Sequence, residues 1–381
     1  MPRVQRRIYL DSASTTNIDP EVLSAYKQLL DRYYVNSESL YDEGAEISRM
    51  LEKARSACAG LLGVKSNEII FTAGSSESNS AAVKGVCFAQ PGKKHIVTTQ
   101  IEHSSILNAC RQMERVFGYD VTYLPVTEKG SIRIEDLKHA LRDDTALVSI
   151  MLVNNETGAV NPVREAAEYV KKHSHAFFHC DITQAVGKMP VSLENIDLAS
   201  LSAHKLEGLK GSGILVKKTH VPFEPLINGG EQEGGLRGGT SNAQVNMMFA
   251  RTLRLALERE SKNREHIHKL HDILIEGLRS IDGIEINSPE DGLPCTVSFS
   301  YEKIPSEVMQ NALNRAGFMV SARSTCEAHS NNPSYVLQAM GFSDARASSC
   351  IRVSMSRHNT EQEIRELIHT LKEITDKYGE L

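Results

Sequence analysis

The sequence predicts an α/β protein with a mostly parallel central sheet, followed by a smaller α+β domain at the C-terminal end. Through the first 220 residues, short apolar or β-rich runs alternate with helix-length spacers, which is typical of parallel strands connected by helices. A charged amphipathic stretch then runs from about residue 243 to 280 without a strand-like interruption. Because the alternation changes beyond this stretch, and because 381 residues exceed the usual size of one domain, we expect two domains.

In the first part of the chain, several runs have the length and composition of strands. They are residues 68–72, 95–99, 121–124, 146–152, 176–179, 198–201 and 212–216. Two helix starts are predicted where a capping side chain precedes a proline, at Asp19 with Pro20 and at Asn161 with Pro162. Proline fits the first helical position because the N–H that it lacks has no intrahelical partner there.

The C-terminal part has its own pattern of elements. Strands are predicted at residues 295–300, 318–321 and 351–355, with a helix at about 306–316. Thr360, followed three residues later by Glu363, predicts a capping box at the start of a final helix. We expect the long charged stretch that precedes these elements to be one helix that bridges the two domains.

Composition and charge exclude several classes of protein. Hydrophobic residues make up 40% of the chain, and the net charge is −5 without a long run of one sign, so disorder and direct nucleic-acid binding are not expected. No stretch of about 18 apolar residues is present, and we expect neither a membrane span nor a signal peptide. The seven cysteines contain no CxxC pair, which favours a reducing, cytoplasmic location.

Lys205 lies where an apolar run ends, in the segment DLASLSAHKLEGLKGSG. Ligands of open α/β sheets bind at the carboxyl ends of the strands, and a lysine at that edge can form a Schiff base with a carbonyl compound. The alternative interpretation of Lys205 is a solvated lysine in a loop.

Asp181 follows another apolar run, and a carboxylate there can keep a pyridinium nitrogen protonated. The alternative interpretation of Asp181 is that it caps a helix or a turn.

The segment FTAGSSESN, residues 71–79, reads as a strand followed by Gly, two Ser and a helix. Hydroxyl groups and free N–H groups at a helix N-terminus form a site for phosphate, although an ordinary serine N-cap explains the segment equally well. A phosphate site, an acid for a ring nitrogen and a Schiff-base lysine are what pyridoxal phosphate needs. Together these three features predict that cofactor.

Longer sequence blocks occur along nearly the whole chain. They are YLDSASTT, FTAGSSESN, IEHSSIL, LVNNETGAV, HCDITQAVGK, SAHK, GGEQEGGLRGGTSN, CEAHSNNPSYVLQAMG and CIRVSMSRHNT. In this order the blocks resemble those of the cysteine desulfurases in the class V aminotransferase-like family. The resemblance implies the aspartate aminotransferase-like fold of pyridoxal-phosphate-dependent transferases. Residues 16–260 would form the large cofactor-binding domain, and residues 1–15 and 261–381 the small domain.

The resemblance implies a role for each residue of the cofactor site. Lys205 would be the Schiff-base lysine, Asp181 the partner of the pyridine nitrogen and Gln184 a hydrogen-bond donor to the phenolic oxygen. His103 would stack on the ring and assist proton transfer, and a structural loop histidine is the alternative. The phosphate would be held by Ser75, Ser76, Ser202 and His204.

Further residues would bind the substrate or join two subunits. The resemblance implies that Asn36, Asn155 and Arg352 bind the amino-acid substrate. Asn155 would also contact the cofactor, and the Arg352 guanidinium would make a two-point contact with the substrate carboxylate. Thr240 would reach the phosphate of the neighbouring subunit, so a homodimer with shared sites is expected. Each of these polar side chains could instead satisfy backbone groups.

Cys326 matches the cysteine that attacks the sulfur of the cofactor-bound substrate in this family, in a loop at about residues 321–335. The implied reaction converts L-cysteine to L-alanine and leaves a persulfide on Cys326. The sulfur would pass to an acceptor protein for iron–sulfur cluster assembly or for thiolation of tRNA or a cofactor. A selenocysteine lyase, another class V enzyme and a weakly active sulfur-transfer scaffold are the alternatives.

Some positions depart from the family pattern. Arg323 stands in a run before Cys326 where a glycine-containing segment is usual, and Ser37 and Tyr41 replace a proline and a histidine. These departures leave the acceptor and the substrate preference open. No metal site is expected, since the histidines and the cysteine near residues 173–180 match no paired zinc spacing. The absence of a GxGxxG fingerprint and of a P-loop gives no support to a nicotinamide or nucleotide enzyme.

Overall fold

The computed structural model describes residues 6–322 and 332–378, so Cys326 and Arg323 lie outside the described residues. Within these ranges the strands form three sheets. The strands are β1 (Ile8–Tyr9), β2 (Ile69–Thr72), β3 (His95–Thr99), β4 (Asp120–Leu124), β5 (Thr145–Ser149), β6 (Phe177–Asp181), β7 (Leu198–Ser202), β8 (Gly213–Lys217), β9 (Ile284–Ile286), β10 (Thr296–Tyr301), β11 (Phe318–Met319) and β12 (Cys350–Ser354).

The helices cover the sheets and connect their strands. They are α1 (Pro20–Arg32), α2 (Asp42–Leu62), α3 (Ser75–Phe88), α4 (Ser104–Phe117), α5 (Ile134–Ala140), α6 (Val163–His173), α7 (Ala243–Arg279), α8 (Ser306–Arg315), α9 (Tyr335–Ala339), α10 (Asp344–Ser348) and α11 (Glu361–Tyr378). In the part of the chain that the structure describes, no helix combines the length and the apolar character needed to cross a membrane.

The central sheet has seven strands in the order β2-β8-β7-β6-β5-β3-β4. Strand β8 runs antiparallel to both of its neighbours, whereas the other pairs are parallel. The predicted α/β class and the mostly parallel sheet are therefore confirmed. The run predicted at residues 146–152 is a strand only to Ser149, although Ile150 and Leu152 still donate backbone hydrogen bonds to β6.

A smaller sheet, in the order β12-β10-β9, lies in the C-terminal part and is antiparallel. Strand β1, from the N-terminal end, pairs in parallel with β11. The long helix α7 contributes to two hydrophobic cores. Its first half packs Phe249 and Leu253 against the central sheet, and its second half packs Leu270 and Leu274 against the smaller one. The predicted boundary near residue 260 falls between these two groups and stays a prediction.

The predicted helix starts had different outcomes. Asp19 caps α1, since its side chain accepts a hydrogen bond from the N–H of Glu21. Thr360 and Glu363 exchange side-chain and backbone hydrogen bonds and form the expected capping box. The prediction that Asn161 caps α6 is wrong. Its buried side chain bonds the backbone N–H of Ile132 and the carbonyl of Met151 instead, so α6 begins at Val163 without a side-chain cap.

Candidate active site

The candidate site lies at the carboxyl edge of the central sheet, where β6 and β7 end side by side. Strand β6 ends at Asp181, and β7 ends at Ser202. A short 3₁₀ turn, Ala203–Lys205, follows β7 directly and brings Lys205 to the same edge. Parallel strands place their carboxyl ends together, so residues that are far apart in the sequence meet here.

The N-terminal segment crosses this edge and receives several of the predicted residues. Lys205 Nζ donates to the carbonyl oxygens of Ala13 and Ser14. Gln184 Nε2 also donates to the Ala13 carbonyl, at 3.0 Å, and Gln184 Oε1 accepts from Lys188 Nζ at 2.8 Å. Gln184 therefore lies beside Lys205, and its amide keeps a second N–H for a further acceptor.

Asp181 is buried and is held by two neutral donors. Its Oδ2 accepts from Asn79 Nδ2 at 2.8 Å, and its Oδ1 accepts from the backbone N–H of Thr183 at 2.9 Å. Neutral donors leave the charge of a carboxylate uncompensated, in contrast to an ion pair. This arrangement suits a carboxylate that serves a protonated ring nitrogen.

Arg352 projects from β12 of the small sheet towards the same N-terminal segment. Its Nη1 donates to the carbonyl of Asn155 at 2.9 Å, and its Nη2 donates to Asp11 Oδ1 at 2.7 Å and to Ser14 Oγ at 2.6 Å. The Nε of Arg352 and the Oδ1 of Asn155 are buried and have no partner among the described residues. Two polar atoms buried in this way indicate the place of a polar ligand.

His103 follows β3 and caps helix α4. Its Nδ1 accepts a hydrogen bond from the backbone N–H of Ser105 at 3.2 Å and lies 2.8 Å from Ser105 Oγ. Ser105 Oγ in turn accepts from Asn79 Nδ2 at 2.9 Å. Since the same Asn79 amide donates to Asp181, the structure brings His103 and Asp181 into one group.

The residues predicted to hold a phosphate lie around the N-terminus of α3. Ser75 and Ser76 form the first turn of this helix of 14 residues, and Ser202 ends β7. A Cβ added at Gly74 would lie 3.7 Å from Ser202 Oγ, so glycine at this position leaves the gap between strand and helix open. The first N–H groups of a helix have no intrahelical partners and bind anions.

His204 lies in the turn after β7, two residues beyond Ser202. Its Nδ1 is 3.2 Å from Thr15 Oγ1. Burial, together with the neighbouring Lys205 ammonium, lowers the pKa of His204 to about 4. The ring is therefore neutral at pH 7 and can offer a neutral N–H to an anion.

Two more titratable groups are buried next to the site. Glu102 accepts from the N–H of Met151 at 2.8 Å and from Thr99 Oγ1 at 3.0 Å, and its Oε2 has no partner in the described ranges. Burial and, to a smaller extent, the Asp181 carboxylate raise the pKa of Glu102 to about 8. Glu102 is therefore protonated at neutral pH.

His179 lies two residues before Asp181, on the same face of β6. Its Nδ1 is 2.8 Å from Ser149 Oγ, and its Nε2 is 2.9 Å from Ser200 Oγ. Burial lowers the pKa of His179 to about 4, so the ring is neutral. With both nitrogens engaged, His179 packs beneath the site.

Asn36 and Thr240 were also predicted to belong to the site, but none of their described contacts is with the site residues above. Asn36 is exposed in the loop between α1 and α2, where its Oδ1 accepts from the N–H of Glu38 at 3.0 Å. Thr240 is also exposed and lines a cavity with Thr72 and Ala73. Their expected roles at the substrate and across a subunit boundary stay predictions, as does the role of Cys326.

Several residues that the fold brings to the site carry no functional signal of their own in the sequence. Asp11 and Ser14 belong to the block YLDSASTT, Asn79 ends FTAGSSESN, and Ser105 belongs to IEHSSIL. Their membership in these blocks was the only signal. Nothing in the sequence showed that Asp11 contacts Arg352 or that Asn79 contacts Asp181.

This set of side chains fits pyridoxal phosphate. The amine of Lys205 suits its aldehyde. Asp181, a buried carboxylate without an ion-pair partner among the described residues, suits its ring nitrogen. The gap at the N-terminus of α3 suits its phosphate. The fit rests on Lys205, on Asp181 and on the gap at Gly74. The buried Asn155 Oδ1 and Arg352 Nε, which have no partner among the described residues, remain available to a further polar group.

A model of the aminotransferase class-V family matches residues 8–367. The chain is similar to cysteine desulfurase 2 of Trichormus variabilis, with 40% identity over 374 residues that cover 97% of this chain and 93% of the relative. It is also similar to the cysteine desulfurase IscS of Methanosarcina thermophila, with 36% identity over 98% of this chain and 93% of the relative.

Solved structures agree with these sequence matches. A NifS-like protein superposes with a TM-score of 0.92 at 37% identity, over 97% of this chain and 100% of that one. SspA, solved in complex with cysteine, superposes with a TM-score of 0.81 at 32% identity, over 92% and 99% of the two chains. The predicted fold of pyridoxal-phosphate-dependent transferases is therefore confirmed.

Proposed function

The chain belongs to the class-V aminotransferase family, and on this basis we propose that it is a pyridoxal-phosphate-dependent cysteine desulfurase. It converts L-cysteine to L-alanine and passes the sulfur on as a persulfide. Relatives that cover 97% of the chain carry the name cysteine desulfurase. The observation in the fold that supports the proposal is that Lys205 and Arg352 both donate hydrogen bonds to Ser14, in the segment that crosses the sheet edge where β6 ends at Asp181.

The cofactor supplies an electron sink that makes the α-proton of a bound amino acid acidic. Lys205 would bind the cofactor aldehyde through its amine, and we assign it to carry the substrate's α-proton. Asp181 would keep the ring nitrogen protonated, and His103 would be the residue next to the ring. The remaining cofactor contacts are assigned to Gln184, Asn155, Ser75, Ser76, Ser202 and His204.

Arg352 binds the carboxylate of the substrate. Its guanidinium is a planar fork that suits a carboxylate, and its Nε has no partner among the described residues. Asn155 lies directly beside it, since its own carbonyl accepts from Arg352 Nη1. We assign the side-chain amides of Asn155 and Asn36 to the same substrate.

Cys326 is assigned to the sulfur-transfer step. Its thiolate attacks the sulfur of the substrate, and a new S–S bond forms while the substrate's C–S bond breaks. The electron pair of the broken bond stays on the β-carbon, which takes up a proton and leaves as the methyl group of alanine. The outer sulfur of the Cys326 persulfide then passes to an acceptor protein.

The acceptor acts in iron–sulfur cluster assembly or in thiolation of tRNA or a cofactor. The similarity to proteins named IscS and NifS-like supports this assignment. We further propose that the enzyme works in the cytoplasm as a homodimer, in which Thr240 reaches the phosphate of the neighbouring subunit. The exposure of Thr240 leaves it accessible to another chain.

The experiment that tests the function measures alanine and sulfide released from L-cysteine by cofactor-loaded protein, with a thiol reductant present to clear the persulfide. We expect equal amounts of both products. Cys326→Ala should abolish turnover while the visible spectrum of the cofactor stays intact, and Lys205→Ala should abolish that spectrum. Cys87→Ala, which removes a thiol buried in another core, is the matched control and should retain activity.

Other outcomes would point to other functions. Turnover of selenocysteine but not of cysteine, surviving in Cys326→Ala, would identify a selenocysteine lyase. Stable complexes with sulfur-transfer proteins without any alanine would identify a scaffold. Either result would overturn the proposed reaction.

A further inference from the structure

A continuous chain of hydrogen bonds joins His103 to Asp181 through two residues that have no assigned role. Asn79 Nδ2 donates to Asp181 Oδ2 at 2.8 Å and to Ser105 Oγ at 2.9 Å. Ser105 Oγ lies 2.8 Å from His103 Nδ1, which also accepts from the N–H of Ser105 at 3.2 Å. Asn79 is completely buried.

The direction of this chain follows once Nδ1 of His103 is the acceptor of the Ser105 backbone N–H. An amide nitrogen is a donor only, so both N–H groups of Asn79 point outward, to Asp181 and to Ser105. Ser105 Oγ thus acts as an acceptor from Asn79 and has its single proton left for His103. Because Nδ1 of His103 already accepts from a backbone N–H, it carries a lone pair and receives the hydroxyl proton as well.

We propose that Asn79 and Ser105 are positioning residues that hold neutral His103 with its proton on Nε2 and tie the ring to Asp181. In this state Nδ1 is engaged as an acceptor, and Nε2 is the nitrogen that donates. His103 then acts towards the reacting atoms as a donor, and proton abstraction is left to Lys205. This inference rests on the proposed function, since it takes His103 and Asp181 as the residues beside the cofactor.

The amide of Asn79 determines the direction of the whole chain. A carboxylate at Asp181 accepts only from N–H or O–H groups, so the Asn79 amide nitrogen must face it. Without that amide, the Ser105 hydroxyl would be free to rotate away from His103. The two residues therefore act as one unit, and loss of either should have nearly the same effect as loss of both.

The test uses cofactor-loaded protein labelled with ¹⁵N-histidine, with His103→Gln to assign the His103 signals. We expect wild-type His103 to show a protonated Nε2 and a hydrogen-bonded, unprotonated Nδ1. Ser105→Ala and Asn79→Leu should each move the Nδ1 resonance towards that of a nitrogen without the hydroxyl donor. Ser104→Ala and Ser80→Ala, at neighbouring positions of the same helices, should leave it in place.

Turnover of cysteine gives a second readout. Ser105→Ala should lower kcat by about three- to tenfold, the effect of one hydrogen bond, with KM and cofactor affinity within about twofold. The double variant Ser105→Ala with Asn79→Leu should be no slower than the slower single variant. If Asn79→Leu does not fold, Ser105→Ala with its Ser104→Ala control decides the question.

An Nδ1 resonance that is unchanged in Ser105→Ala would overturn the proposal, and so would a His103 that carries its proton on Nδ1. Multiplicative losses of kcat in the double variant would show that the two residues act separately and would also overturn it. The resonance is measured without turnover. A wild-type protein that releases no alanine but shows the expected His103 signals would therefore refute the desulfurase function and leave the hydrogen-bond chain standing.

Discussion

Arg352 and Asp11 form an ion pair, with Nη2 of the arginine 2.7 Å from Oδ1 of the aspartate, across 341 residues of sequence. The pair joins β12 of the small sheet to the N-terminal segment that also receives Lys205. The arginine that we assign to the substrate carboxylate is thus oriented before any substrate arrives. Pre-orientation of a binding group reduces the entropy lost on binding.

Arg352→Lys should raise KM for L-cysteine by about tenfold to a hundredfold, because lysine cannot form the planar two-point contact with a carboxylate. The visible spectrum of the bound cofactor should not change, since Arg352 is assigned to the substrate. Steady-state kinetics with alanine detection measures the effect. The role assigned to Arg352 would be wrong if KM stayed within twofold while the protein remained folded.

Gly74→Ala should weaken cofactor binding by at least about tenfold, since the new methyl group would enter the gap beside Ser202 and the backbone φ of +153° disfavours a side chain. Cofactor affinity is measured by titration of apoprotein. Gly60→Ala is the control, because a Cβ there meets no atom within 4 Å. It should leave binding unchanged and stabilise α2 by about 0.5–1 kcal/mol. Equal cofactor affinities in Gly74→Ala and Gly60→Ala would refute the assignment of this gap to the cofactor phosphate.

Glu102 should make the protein less stable as pH rises. Its pKa is about 8 in the folded chain against an ordinary value of 4.5. Between these values the folded state keeps a proton that the unfolded state releases. The free energy of unfolding therefore carries the full contribution of Glu102 below pH 4.5 and loses it progressively up to about pH 8.

Glu102→Gln should flatten this dependence, since glutamine does not titrate and keeps an oxygen that can accept the N–H of Met151. The difference in unfolding free energy between about pH 5 and pH 8 should shrink by an amount on the order of 3 kcal/mol. Urea unfolding at the two pH values measures it. Glu128→Gln, at an exposed position, is the control. A variant as pH-dependent as the wild type would contradict the prediction.

Glu233→Gln should destabilise the fold by about 2–4 kcal/mol, because it breaks a buried ion pair and leaves the Arg55 guanidinium poorly compensated. The two side chains are only 4% and 9% exposed, and their closest atoms are 2.6 Å apart. Glu52 contacts the same arginine but is 59% exposed, so Glu52→Gln should change stability by less than about 1 kcal/mol. Chemical denaturation compares the variants, and equal effects would contradict the argument from burial.

The pattern of elements could be read from the sequence because it depends on local chemistry. The apolar run from residue 95 to 99 became β3 without change, and the amphipathic stretch from about 243 to 280 became α7. Strand ends were less predictable. Phe318 and Met319 form a strand, whereas the predicted run continues to Ser321, which makes only an isolated bridge to Arg352.

Asn161 shows where local interpretation failed. An asparagine before a proline has the composition of a helix start, yet its side chain serves Ile132 and Met151. Both partners belong to other segments, and the buried backbone groups of those segments need hydrogen bonds. Such a demand cannot be read from the residues next to Asn161.

The sequence by itself determined the order of strands and helices, the family, and the residue types at the strand ends, including Lys205 and Asp181. These follow from periodicity and from motifs that are continuous in the chain. Only the tertiary structure decided that Asp11 meets Arg352 and that Asn79 lies between Asp181 and Ser105, at separations of 341, 102 and 26 residues. A hydrogen bond requires atoms within about 3 Å, and only packing of the two cores brings such distant residues that close.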